Sequence, residues 1–399
     1  MNTTTFQNLT AMTPMQEQVE LLGEYLGQHY EFRKNVLSDK FEVRKREEGE
    51  RFCPITREVL NTISLSIKRD GLEISGLRAL LEEFVYSEMT PAYDPINDYL
   101  ASLPAWDGQN HIGALFDRIP GLTTEQHSLL AIWLRSAVAH WMGMDDLHGN
   151  ECVATLIGEQ GCGKSTWCHR ILPPELRVYY LDHLNLMNKF DKEMALTSNL
   201  LVNIDELEQV RPSQHAQLKQ TLSKVKVNGR PIFGKAQEDR RRYASFVATT
   251  NNQHPLTDPT GSRRFLCIRI PKGMMIDNHS PIDYPQLYAQ LVCELKENGT
   301  RYWFSNEEVA RLQELNAGFQ YVTDLGQMVD ICFRHPKEGE DVKLMTSSDI
   351  INHIATVFPV MQPTSNLSVK LGLVLKDKNY ERKNYADGRK YLIVPKRVA

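Results

Sequence analysis

Near the start of the chain, the spacing of the hydrophobic residues changes from that of a helix to that of a strand and back again. Apolar residues recur at helical spacing in residues 16–27 and again in 72–86, so we predict an amphipathic helix in each. Between them, residues 30–33 and 41–44 alternate apolar and charged side chains, which predicts a two-stranded ribbon. Helices and a ribbon together predict a small α+β N-terminal domain over residues 1–92.

The middle of the chain contains apolar runs that predict buried strands, and helical patterns lie between these runs. This alternation is typical of an α/β domain, which we place at residues 146–300, after a helical lead-in over residues 93–145. The strand-like runs are residues 153–157, 200–204, 245–250 and 266–270.

The last part of the chain has a different pattern. A helical connector over residues 301–336 leads to residues 337–399, where two predicted helices precede a hairpin through Asp387-Gly388. Helix, helix and hairpin form the pattern of a winged-helix-like domain, a module that binds either duplex DNA or another protein, and the sequence leaves both partners open. The hairpin region is basic through Lys376, Lys378, Arg382, Lys383, Arg389 and Lys390.

The overall composition is that of a globular protein with a small excess of acidic residues. The 399 residues carry a formal net charge of −4, so DNA binding would need a local basic patch. The seven cysteines include no CxxC pair, which favours buried thiols in a reducing compartment over zinc ligands or disulfides. The chain starts with polar residues and has no apolar run near the ~20 residues of a membrane span. We therefore expect a cytoplasmic protein without membrane association.

One glycine-rich stretch lies between a predicted strand and a predicted helix, which is the context of a phosphate-binding P-loop. Its glycines allow successive backbone N–H groups to surround an anion. We expect Lys164 to bind the β- and γ-phosphates of ATP and the Ser165 hydroxyl to coordinate Mg²⁺. A glycine-rich turn without a ligand is the alternative. The predicted nucleotide-binding residues are Gly158, Gly161, Cys162, Gly163, Lys164, Ser165 and Thr166.

Two carboxylates follow the apolar run at 200–204. We expect Asp205 to hold Mg²⁺ through its water shell, and Glu206 to orient and deprotonate the attacking water. An apolar run that ends in Asp-Glu also occurs by chance. This pair, however, lies ~40 residues after Lys164, the interval found in P-loop ATPases. The spacing therefore favours a catalytic pair over a structural one.

Polar residues also flank the later strands. Asn251 follows the run 245–250 and is either a hydrogen-bond partner of the γ-phosphate or attacking water, or a turn former. Arg263 and Arg264 precede the run 266–270 and are either surface charges or an arginine finger that completes a neighbouring subunit's site. The sequence leaves open which arginine acts, with Arg264 favoured.

The most basic part of the chain lies between the carboxylate pair and Asn251. Asn228-Gly229, between alternating residues, predicts a tight hairpin turn there. In an acidic protein, basic residues beside an ATPase site are expected to contact single-stranded DNA rather than to form a solvated surface. The predicted DNA contacts are Lys224, Lys226 and Arg230, in a basic set that also includes Lys219, Lys235 and residues 240–242.

Over roughly residues 93–270, the order of these motifs resembles the virulence-associated protein E family. Particular matches are Trp106-Asp107-Gly108, Gly229-Arg230-Pro231 and residues 258–265. That family is similar to the superfamily 3 helicases of the AAA+ class, which occur on phages, plasmids and integrative elements. The resemblance implies a DNA-dependent ATPase that uses ATP and Mg²⁺. It also implies a homo-oligomeric ring, a hexamer, that acts in replicating a mobile element.

Three functions are compatible with these motifs: a ring-forming DNA helicase or translocase, a DNA-binding initiator or switch that does not unwind, and a small-molecule kinase. Glu206, Asn251 and the paired arginines argue against the kinase. Many relatives of the family carry a primase domain upstream, and the residues before Tyr93 are too few for one. A separate primase is therefore an expected partner.

Overall fold

The computed structural model divides into two compact units, residues 1–102 and residues 103–399. A separate hydrophobic cluster lies in each unit. The structure describes the whole chain except residues 1–11, 48–50, 145–146, 187, 208–209, 211, 225, 230–237, 257–261, 321–323, 338–339, 341, 343, 359–366, 386–387 and 397–399.

The first unit is a four-stranded sheet with helices packed on one face. Tyr30, Phe32 and Val43 project from the sheet into a core shared with the helices, and Phe32 lies opposite Val43 in the ribbon predicted from the sequence. The strand order is β3-β2-β1-β4. The elements are α1 (Pro14–His29), β1 (Tyr30–Asn35), β2 (Lys40–Lys45), β3 (Cys53–Pro54), α2 (Arg57–Arg69), α3 (Leu77–Val85), β4 (Ala92–Tyr93) and α4 (Pro95–Ala101).

Two details of the first unit differ from the sequence prediction. The unit continues to Ser102 because β4 pairs with β1 in parallel, so the predicted boundary at residue 92 lies inside it. The helix predicted for residues 72–86 begins only at Leu77, since Gly76 before it has a left-handed backbone with φ of 64°. Glycine adopts that conformation readily, and it interrupts the helical path.

The second unit is built around a five-stranded sheet in which all neighbouring strands are parallel, in the order β11-β5-β10-β7-β6. Its central strands are buried on both faces, which explains their continuous apolar sequences. The elements up to the end of this core are α5 (His111–Phe116), α6 (Thr124–Met142), β5 (Val153–Ile157), α7 (Lys164–Arg170), β6 (Tyr180–Leu181), α8 (Lys189–Ser198), β7 (Leu201–Asp205), α9 (Pro212–Ser223), β8 (Lys226–Gly229), β9 (Glu238–Arg241), β10 (Ser245–Thr250), β11 (Phe265–Arg269), α10 (Tyr284–Lys296) and α11 (Asn306–Asn316).

The C-terminal module, residues 324–396, has its own hydrophobic cluster. Val329 and Cys332 of its first helix belong to that cluster, so the module begins before the predicted boundary at residue 337. A three-stranded antiparallel sheet in the order β13-β15-β14 completes it. Its elements are α12 (Leu325–Cys332), β12 (Phe333–Arg334), β13 (Leu344–Thr346), α13 (Ser347–Val357), α14 (Leu367–Asp377), β14 (Arg382–Tyr385), β15 (Gly388–Leu392) and β16 (Val394–Pro395).

Helix length and polarity bear on membrane association. Within the part of the chain that the structure describes, no helix is both long enough and apolar enough to cross a bilayer.

Candidate active site

The parallel sheet brings Lys164, the Asp205-Glu206 pair and Asn251 to one edge. Because its strands run in the same direction, their carboxyl ends meet, and ligands of such sheets bind at that edge. Strand β5 leads into the glycine-rich loop, β10 into Asn251, and β7 ends at Asp205. Thr250 lies opposite Ile157, and Thr249 lies opposite Asp205. Residues far apart in the sequence therefore share one edge.

Glycine is required at several positions of the loop after β5. Gly161 and Gly163 have φ angles of 83° and 91°, in the left-handed region that glycine favours. Gly158 has an extra constraint, since an added Cβ would lie 3.1 Å from both the Cys162 Sγ and the Ile270 Cβ. The glycine pattern read from the sequence thus has a steric reason at each position.

Lys164 is buried and joins two of the predicted motifs. Its ammonium donates hydrogen bonds to the carbonyl oxygens of Gly158 and Glu159, each at 2.8 Å, and to the Asn251 Oδ1 at 2.9 Å. All three acceptors are neutral oxygens. The lysine charge is therefore held at the mouth of the loop without neutralisation by these groups, which suits an anion-binding role.

The carboxylate pair lies at the end of β7, and both of its residues are exposed. The Thr249 hydroxyl donates a hydrogen bond to the Asp205 Oδ1 and so fixes the orientation of that carboxylate. Burial and the negative charges of Asp182 and Asp205 raise the pKa of the Cys168 thiol of helix α7. Glu206 has a φ of 51°, an uncommon conformation for a residue other than glycine.

Such backbone outliers cluster at functional sites, where the surrounding structure maintains them. At Glu206 the outlier turns the chain sharply as it leaves β7. The backbone conformation of Glu206 therefore marks it as a candidate functional residue, in agreement with its sequence position after Asp205.

The remaining loop residues are compatible with Mg²⁺. Ser165 and Thr166 occupy the first turn of α7 and are exposed. Among the residues that the structure describes, no group of three His, Cys, Asp or Glu side chains could hold a metal ion. Mg²⁺ in phosphate-binding sites needs only one or two protein ligands beside the phosphates and waters. The Ser165 hydroxyl and the Asp205 carboxylate are oxygen donors of the types that such sites use.

Residues 271–283, which follow β11, pack against the glycine-rich loop. The sequence analysis did not predict this contact. The Asn278 amide donates to the Gly163 carbonyl at 2.9 Å, and the Ile276 N–H donates to the Cys162 carbonyl at 3.0 Å. Arg118 and Arg170 also donate to backbone carbonyls of this segment, and each donates to the Ser280 carbonyl at 2.8 Å. These contacts brace the shape of the loop, but nothing local in the sequence signals them.

The paired arginines lie at the opposite edge of the sheet. They precede β11, which is in register with β5 from Phe265 opposite Val153 to Arg269 opposite Ile157. Five strand residues at ~3.3 Å each separate them by about 16 Å from the edge where the glycine-rich loop begins. This placement argues against a role of the two arginines at the glycine-rich loop of their own chain.

The two arginines differ in their surroundings. Arg264, the residue favoured from the sequence, donates to the Ser223 Oγ at 3.2 Å and pairs with the Glu151 carboxylate at 3.4 Å. Arg263 is exposed. Among the described residues, it makes no hydrogen bond or ion pair. Arg263 is therefore the better placed of the two to reach another molecule.

The basic hairpin differs from its prediction in where it turns. Asn228 and Gly229 do not form a tight turn, because both belong to β8 and pair with Asp239 and Glu238 of β9. The ladder therefore extends past the predicted turn. Arg230, a predicted DNA contact, lies outside the described residues.

The other basic residues of this region separate into exposed and buried ones. Lys226 is exposed, and Lys224 is half-buried, with its ammonium 3.8 Å from the Glu193 carboxylate. Arg242 is fully buried, and it donates to the carbonyl oxygens of Leu222, Lys224, Ala244 and Asn150 at 2.6 to 2.8 Å. Arg242, which the sequence analysis counted in the basic set, is thus a structural residue.

The family of this chain follows from a comparison with models of known protein families. The family model of the virulence-associated protein E-like domain matches residues 100–321, more than half of the chain. The chain belongs to this family. The resemblance predicted from its motifs is therefore confirmed, and the match extends beyond the predicted region into α10 and α11. A search of curated proteins finds no match.

Three solved structures are similar to this chain over most of its length, at low identity. An apo structure of the C-terminal region of NrS-1 has 11% identity and a TM-score of 0.44, and covers 95% of this chain and 99% of that one. A second apo structure of that region has 11% identity and a TM-score of 0.44, and covers 96% and 100%. A structure titled SCCmec type IV Cch, an active helicase, has 10% identity and a TM-score of 0.32, and covers 89% and 90%.

Proposed function

We propose that this protein is an ATP-hydrolysing DNA helicase or translocase of a phage or mobile genetic element. It acts in replication as a homo-oligomeric ring, a hexamer. The observation that carries the proposal is the hydrogen bond between Lys164 and Asn251 at the carboxyl edge of the sheet. It joins the glycine-rich loop to the strand that pairs with the Asp205 strand. Nucleotide binding and water activation then share one site.

In this proposal, each residue at the carboxyl edge has one task. Lys164 binds the β- and γ-phosphates, while Ser165 and Asp205 hold Mg²⁺, which offsets the charge that develops on the phosphates. Glu206 accepts the proton of the attacking water, and Asn251 hydrogen-bonds that water or the γ-phosphate. Thr249 keeps the Asp205 carboxylate in position.

The arginines at the amino edge complete the site of a neighbouring subunit. Within one chain, Arg263 lies at the wrong edge of the sheet to reach its own nucleotide. In a ring, the amino edge of one subunit faces the carboxyl edge of the next, and an exposed guanidinium can stabilise the charge on the transferred phosphoryl group. We assign this role to Arg263, with Arg264 fixing the short turn that presents it.

In this proposal the protein translocates along single-stranded DNA. Lys224 and Lys226 lie on or beside the β8–β9 hairpin, where cations can follow a phosphate backbone, and Arg230 comes directly after β8 in the sequence. The alternative function is an ATP-dependent initiator or switch that binds DNA without unwinding it. The rate of unwinding of a forked duplex separates the two, because only the helicase converts ATP hydrolysis into strand separation.

The central test is ATP hydrolysis by two variants and a control. Lys164→Ala should abolish nucleotide binding, whereas Glu206→Gln should bind ATP normally and hydrolyse it ~10²-fold more slowly, the usual loss for a general base. Glu175→Gln, an exposed carboxylate elsewhere, should match the wild type. Phosphate release without an added acceptor would exclude a kinase. Normal turnover by Glu206→Gln would reject its assigned role.

A further inference from the structure

The C-terminal module lies outside residues 100–321, the region that the family model matches. In chain order, its main elements are α12, β13, α13, α14, β14 and β15, with the three strands in one antiparallel sheet. We propose that this module binds duplex DNA, with helix α14 in the major groove and the β14–β15 hairpin against the phosphate backbone beside it.

The first observation is charge. Residues 367–396 contain eight Lys or Arg and three Asp or Glu, a net charge of +5 within a chain of net charge −4. Lys378 and Lys396 both contact Asp330, at 2.6 and 2.7 Å, and hold the module together. Five other cations are exposed: Lys370, Lys376, Arg382, Lys383 and Arg389. Such a local patch is the electrostatic feature that binding to phosphates needs.

The second observation is the orientation of α14. Leu371 and Leu375 are fully buried in the core of the module, so the opposite side of the helix faces outward. That side carries Val369 and Leu373, which are 66% and 60% exposed. Lys370 and Lys376 are exposed on the same helix.

The third observation is that the hairpin is fixed against this helix. The Tyr391 hydroxyl of β15 lies 3.6 Å from where a Cβ on Gly372 would be, so strand and helix are in close contact. Lys383 pairs with Lys390 in the ladder, and all four residues of β14 are exposed. The two basic elements therefore lie next to each other in the module.

These features favour duplex DNA over duplex RNA and over a protein. An 11-residue helix such as α14 has a diameter of about 10 Å, which fits the major groove of B-DNA, about 12 Å wide. The major groove of duplex RNA is too deep and narrow to be read in this way. Exposed aliphatic side chains contact thymine methyl groups. A protein-docking face would have less reason to be surrounded by five cations.

The test compares binding of a short duplex DNA by the full-length chain across a range of salt concentrations. The triple variant Arg382→Gln, Lys383→Gln and Arg389→Gln should lower the slope of log K against log salt by about 0.9 for each phosphate that the protein no longer neutralises. The matched control replaces three exposed lysines elsewhere, Lys40, Lys68 and Lys296, with glutamine. Its slope should equal that of the wild type.

Two results would overturn the proposal. One is an unchanged slope in the triple variant of the β14–β15 hairpin, and the other is an equal change in the control, which would indicate a general charge effect. Single-stranded DNA binding and ATP hydrolysis by the hairpin variant are measured alongside. Their retention is expected, since the function proposed above depends on other residues. A failure of that function therefore remains distinguishable from a failure of this inference.

A second variant tests the helix and the protein alternative. Val369→Ser with Leu373→Ser changes two exposed residues, so the fold should persist, as thermal melting can verify. We expect duplex DNA to bind about tenfold more weakly, the order expected when one or two interactions with base edges are removed, with no change in the mass of the particle. Unchanged DNA binding with an altered mass would instead identify a docking face for a second copy.

Discussion

Charged residues are arranged differently at the two edges of the parallel sheet. At the carboxyl edge, few charges converge on one point: Lys164 contacts Asn251, and Asp205 is held by Thr249. At the amino edge, arginines are more numerous but diverge. Arg242 is enclosed by four backbone carbonyls, whereas Arg263 projects outward.

The difference shows that the role of a charged residue depends on whether its side chain is buried and on which groups it contacts. At the carboxyl edge, every strand end points to the same place because the strands are parallel, so motif residues gather there. At the amino edge, a guanidinium is either held by protein groups, as in Arg242 and Arg264, or left in solvent, as in Arg263. The first kind stabilises the fold, and the second kind is available to another molecule.

The largest expected effect tests whether the exposed arginine serves a second subunit. Arg263→Ala should bind ATP but hydrolyse it ~10³-fold more slowly, the scale of a missing arginine finger. Mixed with Lys164→Ala, which has an intact Arg263, hydrolysis should partly return, because some competent loops then face a competent arginine. Arg264→Ala is the comparison, and it should melt at a lower temperature.

If the mixture recovers no activity while both variants still assemble, Arg263 does not act between subunits. Equal hydrolysis by Arg263→Ala and the wild type would remove it from the site altogether.

The second effect contrasts buried and exposed cations of neighbouring elements. Arg242→Met should lower the free energy of unfolding by about 3 kcal/mol, because four buried carbonyl groups lose their donor. Lys226→Met removes an exposed charge and should change it by less than about 0.5 kcal/mol. Thermal or urea unfolding measures both variants. Similar losses would contradict the division of this region into structural and exposed cations.

A smaller effect concerns pH at the amino edge. Burial, together with the facing Arg242 and Arg241 guanidinium groups, lowers the pKa of His140 to about 3, and its Nε2 accepts a hydrogen bond from the Asn150 N–H at 2.6 Å. The unfolded chain would bind a proton near pH 6.5, so stability is present above that pH and is lost as pH falls toward the folded pKa. At pH 5 the loss should be about 2 kcal/mol.

Unfolding measured at pH 7.5 and pH 5 checks this prediction, with His140→Gln as the comparison. Glutamine keeps an acceptor but cannot titrate, so the variant should show a smaller difference between the two pH values. An identical pH dependence in both proteins would exclude His140 as its source.

The sequence alone was enough to identify the family and the residues with local signatures. Glycines around Lys164 are recognisable because the loop backbone requires them, and the apolar run before Asp205 is recognisable because a strand buried on both faces must be apolar. The family match over residues 100–321 agrees with this motif order. The roles of these residues in hydrolysis remain predictions.

Only the tertiary structure decided which residues face one another. No local pattern shows that Asn278 contacts Gly163, that Arg242 is buried while Lys226 is exposed, or that Arg263 precedes a strand whose far end lies at the carboxyl edge. Asn228-Gly229 has the sequence of a tight turn, yet it pairs within a longer ladder. The physical reason is the same throughout: local sequence determines backbone preferences, whereas burial and partners depend on segments distant in the chain.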